Sequence, residues 1–540
     1  MFSTDTEKKQ AAVQVTPVDV ISSGDTTPTL PPSENVPALS DADRKLEAMG
    51  YKPVFKREFS AWSSFSFAMS ISGIYSSLMS AWVYGLQAGG PAAVMWSWIV
   101  GGAGAWAMAM SLAELSSAYP SAGAMYSVLR YVAPEGQAPF LCWMSGYVSL
   151  AGIIAGTASG EYASSQMLLA AISIATDFRY VPAPSHIFGV MVCLSVVHGA
   201  INSLPTRWLT RLTSGYVVFH MSVLVGACVC LLVKTEGKNG VAYAFTEFEP
   251  ALSGWSPPGF AFLFGCLTPA WIMTNADSTA RLAEEAINPA LVVPNAIATA
   301  TTFTYFVGLL FNLVLVVCMT AATGSTPSAL LQSPTGQPVA QLFANTLGRA
   351  PAVFFTLAGF GVMNLCSIPG IQGGSRTIFA YGRDDLLPWS GVWRRLDARS
   401  GTPVAAVWLF VALSVAVNFL GLIGEEAAVA AVFNICTVAL NLSYVLPIVC
   451  KLMYGRFERG PWHLGRWSLP MNVVAVGWNV FVSVIFFLPT KLPVTNENMN
   501  YASVVFVFVT LFSLGFWYAQ GRHYYTGAGS ASKKSSQGSG

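Results

Sequence analysis

Apolar residues run through this chain in long stretches separated by short polar segments, from about residue 60 to about residue 520. A helix needs about 20 predominantly apolar residues to cross the hydrocarbon of a bilayer. Twelve stretches meet that requirement, at 60–87, 91–115, 139–172, 185–203, 208–233, 259–283, 291–321, 350–381, 403–423, 427–453, 469–490 and 500–520. The pattern predicts an all-α polytopic membrane protein with 12 transmembrane helices, residues 58–520 forming its membrane domain.

Two of these stretches are interrupted by polar residues. The first carries Ser70, Ser72, Gly73, Ser76 and Ser77 within 70–77, and the sixth carries Thr274, Asn275, Asp277, Ser278 and Thr279 within 262–294. Inside hydrocarbon an open backbone is tolerated only where it lines a cavity or is buried in protein, and a carboxylate there needs a partner. Both segments therefore read as discontinuous helices at a binding site, with Gly73 allowing the first to unwind. The alternative for the first is close packing of small residues; for the sixth it is a helix ending near Ala276 with Asp277 at the interface. Spans one to five and six to ten each begin with an interrupted helix, which is the pattern of an inverted repeat of five plus five helices, followed here by two more.

Charge orients the helices. With the N-terminus inside, the outer side keeps only Arg179, Lys234, Lys238, Arg349 and Lys491 of the 28 Lys and Arg residues, as the positive-inside rule requires of an even number of spans. Both termini are then cytoplasmic. Residues 1–57 are rich in Ser, Thr, Pro and Asp, lack a signal-peptide pattern and are expected to be a disordered cytosolic tail, with 521–540 as a second tail.

Composition narrows the function. Of the 540 residues 54% are hydrophobic and 10% charged, against about 25% charged in soluble domains. A net charge of +2 gives no reason to expect a nucleic-acid partner. The nine cysteines lie in apolar segments with no metal-type spacing apart from Cys228-x-Cys230 on one helix, so neither a disulfide framework nor a metal site is expected. No HExxH, GxSxG or Walker sequence occurs, so no enzyme is expected, and no cofactor.

Several motifs, in order, are similar to those of the amino acid/polyamine/organocation superfamily, and more closely of the fungal amino acid/choline permeases that include GABA, choline and polyamine carriers. They are AGGPAAVMWSW (88–98), AELSSAYPSAGAMY (113–126), PAWIMTNADSTARLAEEAINP (269–289), SRTIFAYGRDDLLP (375–388), GPWHLGRW (460–467) and LPVTNENMNYA (492–502). The resemblance implies a LeuT-like five-plus-five fold and a substrate held between the unwound parts of helices one and six. It implies first-helix contacts at Ser72, Gly73, Tyr75, Ser76 and Ser77, an aromatic gate at Trp271, and further contacts at Thr274, Asn275 and Asp277. Ile74 and Tyr75 are bulkier than the glycine-rich first helix of some relatives.

Among the ionisable groups inside spans, Glu161, His220 and His198 bear on function. Glu161 either faces the cavity and pairs with a substrate amine or lies in an outer vestibule. His220, nine residues after Arg211, falls where the resemblance places a lysine that stands in for a sodium ion, so it is a candidate for proton coupling; a buried neutral histidine is the alternative. His198 reads as structural. Asn364, Ser367, Asn434, Thr437 and Asn441 read mostly as bridges between helices.

The expectation is a secondary transporter of a small amine or amino acid such as GABA, proton-coupled and working by alternating access. A choline or polyamine permease and a nutrient receptor that binds without transporting stay open. So do the oligomeric state and the choice of plasma membrane, expected first, over vacuole or Golgi.

Overall fold

The computed structural model describes residues 40–249, 253–419, 425–490, 492–495 and 499–529. It is helical; among the described residues the one strand-like feature is an isolated bridge between Phe59 and Ala286. Among the described residues ten helices are long and apolar enough to cross a membrane. The first is a 58-residue run over Ala61–Ala118. It is broken at Gly73 into α2 (Ala61–Ser72) and α3 (Ile74–Ala118), and α3 bends sharply at Gly89 and Gly90 just before Pro91. That bend separates the first two expected spans without a loop. Val404–Asn418 is a shorter apolar helix at the ninth expected span; the end of that span, residues 420–423, lies outside those described.

The middle of the bundle is α5 (Ala138–Ala175), which packs chiefly on α15 (Arg349–Arg383) and α18 (Glu425–Tyr454). Its apolar window is 72% buried in protein, whereas that of Ala502–Tyr524 is 11% buried, so the latter presents most of its surface to lipid. α6 (Pro184–Asn202) packs beside α5. The fifth span is two pieces, α7 (Thr206–Ser214) and α8 (Tyr216–Lys234). The sixth is three: α10 (Pro258–Gly265), α11 (Leu267–Ile272) and a 3-10 segment, Ala276–Glu285.

The expected tails are shorter than 1–57 and 521–540. Residues 1–39 and 530–540 lie outside the described residues, but α1 (Asp41–Ala48) and the segment after it are built structure. Leu46, Met49 and Tyr51 are buried in the same core as Tyr126. Arg57 donates to Asp43 at 2.7 Å and to the carbonyl of Ala286 at 2.7 Å, and Phe59 exchanges backbone bonds with Glu285 (2.9 Å) and Ile287 (2.8 Å). At the other end Tyr525 is buried, its hydroxyl 2.7 Å from that of Tyr126. Both flanks converge on Asp384, which accepts from Tyr51 and Tyr126 hydroxyls (3.1 Å each) and from the Gly529 amide (3.0 Å). Burial among these groups pushes the Asp384 carboxyl above its ordinary range. The average polarity of the tails hid these few apolar anchors, whose burial offsets the ordering cost of short segments.

Candidate functional site

The two expected interruptions are helix breaks. α2 begins at Ser60, whose Oγ accepts from the Ser63 amide at 3.3 Å, and ends at Gly73 in the left-handed region (φ 46°, ψ 48°). Only glycine adopts that conformation freely, and a Cβ there would collide with Cys366 Sγ. In the sixth span Asn275 is left-handed too (φ 67°, ψ 18°), between α11 and the 3-10 segment. Each break leaves carbonyls without helical partners on one side and amides on the other.

Between the breaks lies a cavity of about 50 Å³, lined by Ser77, Trp271, Asn275, Ser367 and Cys366, with Gly156, Thr157 and Gly160 of α5 as one wall. Water takes about 30 Å³ in the liquid, so an amino acid enters only if these walls move. A second, smaller gap of about 10 Å³ adjoins it, lined by Ser72, Thr274 and Asn275 among others. Thus Ser77, Trp271 and Asn275 meet at the main cavity, Ser72 and Thr274 at the neighbouring gap, and Gly73 forms the turn itself.

The other expected contacts are engaged elsewhere. Tyr75 is fully buried, its hydroxyl donating to the Phe355 carbonyl at 3.0 Å and its ring stacked on Phe311. Ser76 donates to the Gly73 carbonyl at 3.2 Å. Asp277 is not among the lining residues. Its carboxylate holds Arg281 through both oxygens (2.7 and 2.8 Å) and accepts from the Tyr444 hydroxyl at 2.5 Å. Arg281 also donates to Asn275 Oδ1 at 3.1 Å, so Asp277 reaches the cavity through Arg281 and Asn275. The same 3-10 segment supplies Glu284, which takes Arg383 at 2.8 and 2.9 Å, and Glu285, which takes Arg376 at 2.7 Å. These buried pairs tie the 3-10 segment to α15.

Trp271 packs its ring on Phe433 at 4.4 Å between centroids and donates Nε1 to Ser159 Oγ at 3.1 Å. His220 accepts the Tyr75 amide at Nε2, 3.1 Å away. It therefore caps an orphan amide of α3, and the hydrogen of a neutral ring sits on Nδ1. Glu161, next to Gly160, is fully buried and lies 2.7 Å from His198 Nδ1, while its Oε2 has no hydrogen-bond partner. His198, read from the sequence as structural, is thus the partner of the buried glutamate.

The α5 wall and the thiol of Cys366 are residues the sequence reading missed. Gly152, Gly156 and Gly160 recur every four residues, the spacing of one helix face, and a Cβ on Gly156 would sit 2.9 Å from Cys436 Sγ and 3.1 Å from Asn275 Nδ2. Of the expected bridges, Asn364 does donate to Ser164 of α5 at 2.9 Å, whereas both side-chain polar atoms of Asn434 are buried without a partner.

A family model described as amino acid permease matches residues 59–511. Amino-acid permease 2 of Neurospora crassa is 62% identical over 530 residues, covering 97% of this chain and 96% of that protein. Amino-acid permease BAT1 of Arabidopsis thaliana is 27% identical over 508 residues, with 91% and 97% covered. A putative polyamine transporter of Candida albicans is 27% identical over 512 residues, with 91% and 90% covered.

Proposed function

The chain belongs to the amino acid permease family, integral membrane transporters of amino acids or polyamines and not enzymes, and from that premise we propose that it carries a small zwitterionic amino acid such as GABA across the plasma membrane by alternating access. The proposed plan is twelve crossings in a five-plus-five inverted repeat, both termini cytoplasmic, with the two breaks as the substrate's seat. The observation that carries this reading is the cavity of Ser77, Trp271, Asn275 and Ser367 set between left-handed turns at Gly73 and Asn275.

A zwitterion suits this seat. The N-terminal end of α3 offers amides and a positive dipole end to a carboxylate, and the carbonyl ends of α2 and α11 favour an ammonium. A polyamine or choline is a pure cation and asks for carboxylates or an aromatic cage. Here Asp277 and Glu161 are committed to Arg281 and His198, and Trp271 is the one aromatic residue among those lining the main cavity. Uptake of labelled GABA and other amino acids into proteoliposomes tests the proposal; saturable binding without uptake would make the protein a receptor instead.

Trp271→Ala is expected to leave the protein inserted and raise KM for transport roughly thirtyfold, since an ammonium on a desolvated indole face is worth about 2 kcal/mol. Trp271→Phe, which keeps an aromatic ring against Phe433, should recover part of that. Unchanged kinetics in Trp271→Ala would make the indole a packing residue.

Proton coupling forms part of the proposal. The sequence suggests His220, but its Nε2 is occupied by the Tyr75 amide, and an added proton there would meet an N–H donor and the positive end of a helix. The Glu161–His198 pair is better suited: it is buried, next to the cavity wall, and has an open carboxylate oxygen. Uptake is expected to rise as external pH falls from about 7.5 to about 5.5. Glu161→Gln should flatten that response and abolish accumulation against a gradient while sparing exchange of substrate. His220→Ala should slow all modes equally and keep the pH response. Accumulation that survives in Glu161→Gln and fails only in His220→Ala would return the coupling role to His220.

A further inference from the structure

A second cavity, of about 440 Å³ and wide open to the outside, lies where the segment before α2 meets α7, lined by Glu58, Arg207, Thr210, Arg211 and Ser214. From it we propose a binding site for the headgroup of an aminophospholipid, phosphatidylserine being the one whose charges match. The inference rests on membrane embedding and on the proposed orientation with both termini cytoplasmic, not on the substrate reading above.

The level of the cavity in the membrane follows from two tryptophans that contact its lining residues. Trp208 is 51% exposed and Trp62 is 52% exposed. Arg211 lies over the Trp208 ring at 5.3 Å, and Trp62 donates Nε1 to the Ser214 carbonyl at 3.1 Å. Exposed tryptophans at the ends of spanning helices sit at headgroup level. Both stand at the start of a span, so the cavity between them opens into the interface and not into water alone.

Its chemistry comes from three unneutralised charges. Arg207 and Arg211 are one helical turn apart on α7, on one face with the hydroxyls of Thr210 and Ser214 nearby. No ion pair among the described residues includes either arginine. Glu58 lines the same cavity, is held in place by its amide, 2.8 Å from the Glu285 carbonyl, and is in no ion pair among the described residues. Paired guanidiniums hold a phosphate diester through forked hydrogen bonds, and a carboxylate in the same cavity accepts an ammonium. Inorganic phosphate would satisfy the arginines but face repulsion from Glu58. Phosphatidylserine carries a phosphate, a carboxylate and an ammonium, a net single negative charge against the single net positive charge of the cavity. It also belongs to the cytoplasmic leaflet, the side assigned to this end of the helices.

The test uses the full chain purified in detergent, titrated with phosphatidylserine, phosphatidylglycerol, phosphatidylethanolamine, water-soluble glycerophosphoserine and inorganic phosphate. Melting temperature and retained lipid by native mass spectrometry are the readouts. Phosphatidylserine should raise the melting temperature by a few degrees and remain bound at one equivalent. Arg207→Gln with Arg211→Gln should lose both effects. Arg207→Lys, which keeps the charge, should keep part of them and serves if the double variant does not fold. Glu58→Gln should remove the preference for phosphatidylserine over phosphatidylglycerol. The proposal is overturned if inorganic phosphate gives the same stabilisation, if phosphatidylglycerol equals phosphatidylserine in the unaltered protein, or if the double arginine variant binds lipid unchanged.

Discussion

Replacing Asp277 by alanine is expected to abolish uptake and also to lower the melting temperature of the purified transporter. Among the described residues the carboxylate is the one ion-pair partner of Arg281, which is itself 2% exposed. Removing one member of a buried ion pair leaves the other desolvated and unpaired, at a cost of about 3–5 kcal/mol. The same guanidinium holds Asn275 Oδ1 at 3.1 Å, so a relaxed Arg281 lets the left-handed turn lose its geometry at the cavity. Removing both charges is a different perturbation, because well-packed apolar replacements of a buried pair are often neutral for stability. Asp277→Leu with Arg281→Met should therefore recover most of the lost melting temperature, less the cost of the Tyr444 hydroxyl left without its acceptor, yet stay inactive. Wild-type uptake by Asp277→Ala would show that the turn does not need this anchor. A double variant as unstable as the single would show that the charge left behind is not the cause of the instability.

That outcome also separates what could be read in the sequence from what could not. A polar cluster in an apolar run is visible along the chain, and both helix breaks fall inside the clusters at 70–77 and 274–279. Asp277 and Arg281 stand four residues apart, a spacing that brings side chains together on helical backbone, yet a lone carboxylate in an apolar setting invites assignment to a ligand. The pairing of Glu161 with His198 joins two helices 37 positions apart, and nothing local in the chain announces it. Average polarity conceals the apolar anchors near the two ends of the described residues. The ends look solvated by composition, but Leu46, Met49, Tyr51 and Tyr525 are enough to dock them on the helical bundle. The α5 wall is written in the chain as glycines at 152, 156 and 160, but small residues in membrane helices usually signify packing alone, so the spacing by itself does not single out a cavity wall.

Gly73→Ala carries the second large effect. The residue sits at φ 46°, where a side chain costs roughly 1–2 kcal/mol, and its Cβ would overlap Cys366 Sγ and press on Ser76 and Ser77 Oγ at 3.3 Å each. α2 is joined to α3 through this one residue, and the Gly73 carbonyl takes the Ser77 amide at 2.8 Å, so strain here is transmitted directly to Ser77 at the cavity. Uptake should fall by more than about tenfold, the factor that 1.4 kcal/mol represents, while the amount of protein in the membrane changes little. The collision and the backbone strain are separable. Cys366→Ala removes the sulfur, so Gly73→Ala with Cys366→Ala should regain the part of the loss that comes from overlap and keep the part that comes from the left-handed backbone. Initial rates normalised to protein in the membrane give the ranking: unaltered protein, then Cys366→Ala, then the double variant, then Gly73→Ala. If Gly73→Ala transports normally, the helix break is not the seat of the substrate; if the double variant is no better than the single, the sulfur contact is not what makes glycine necessary there.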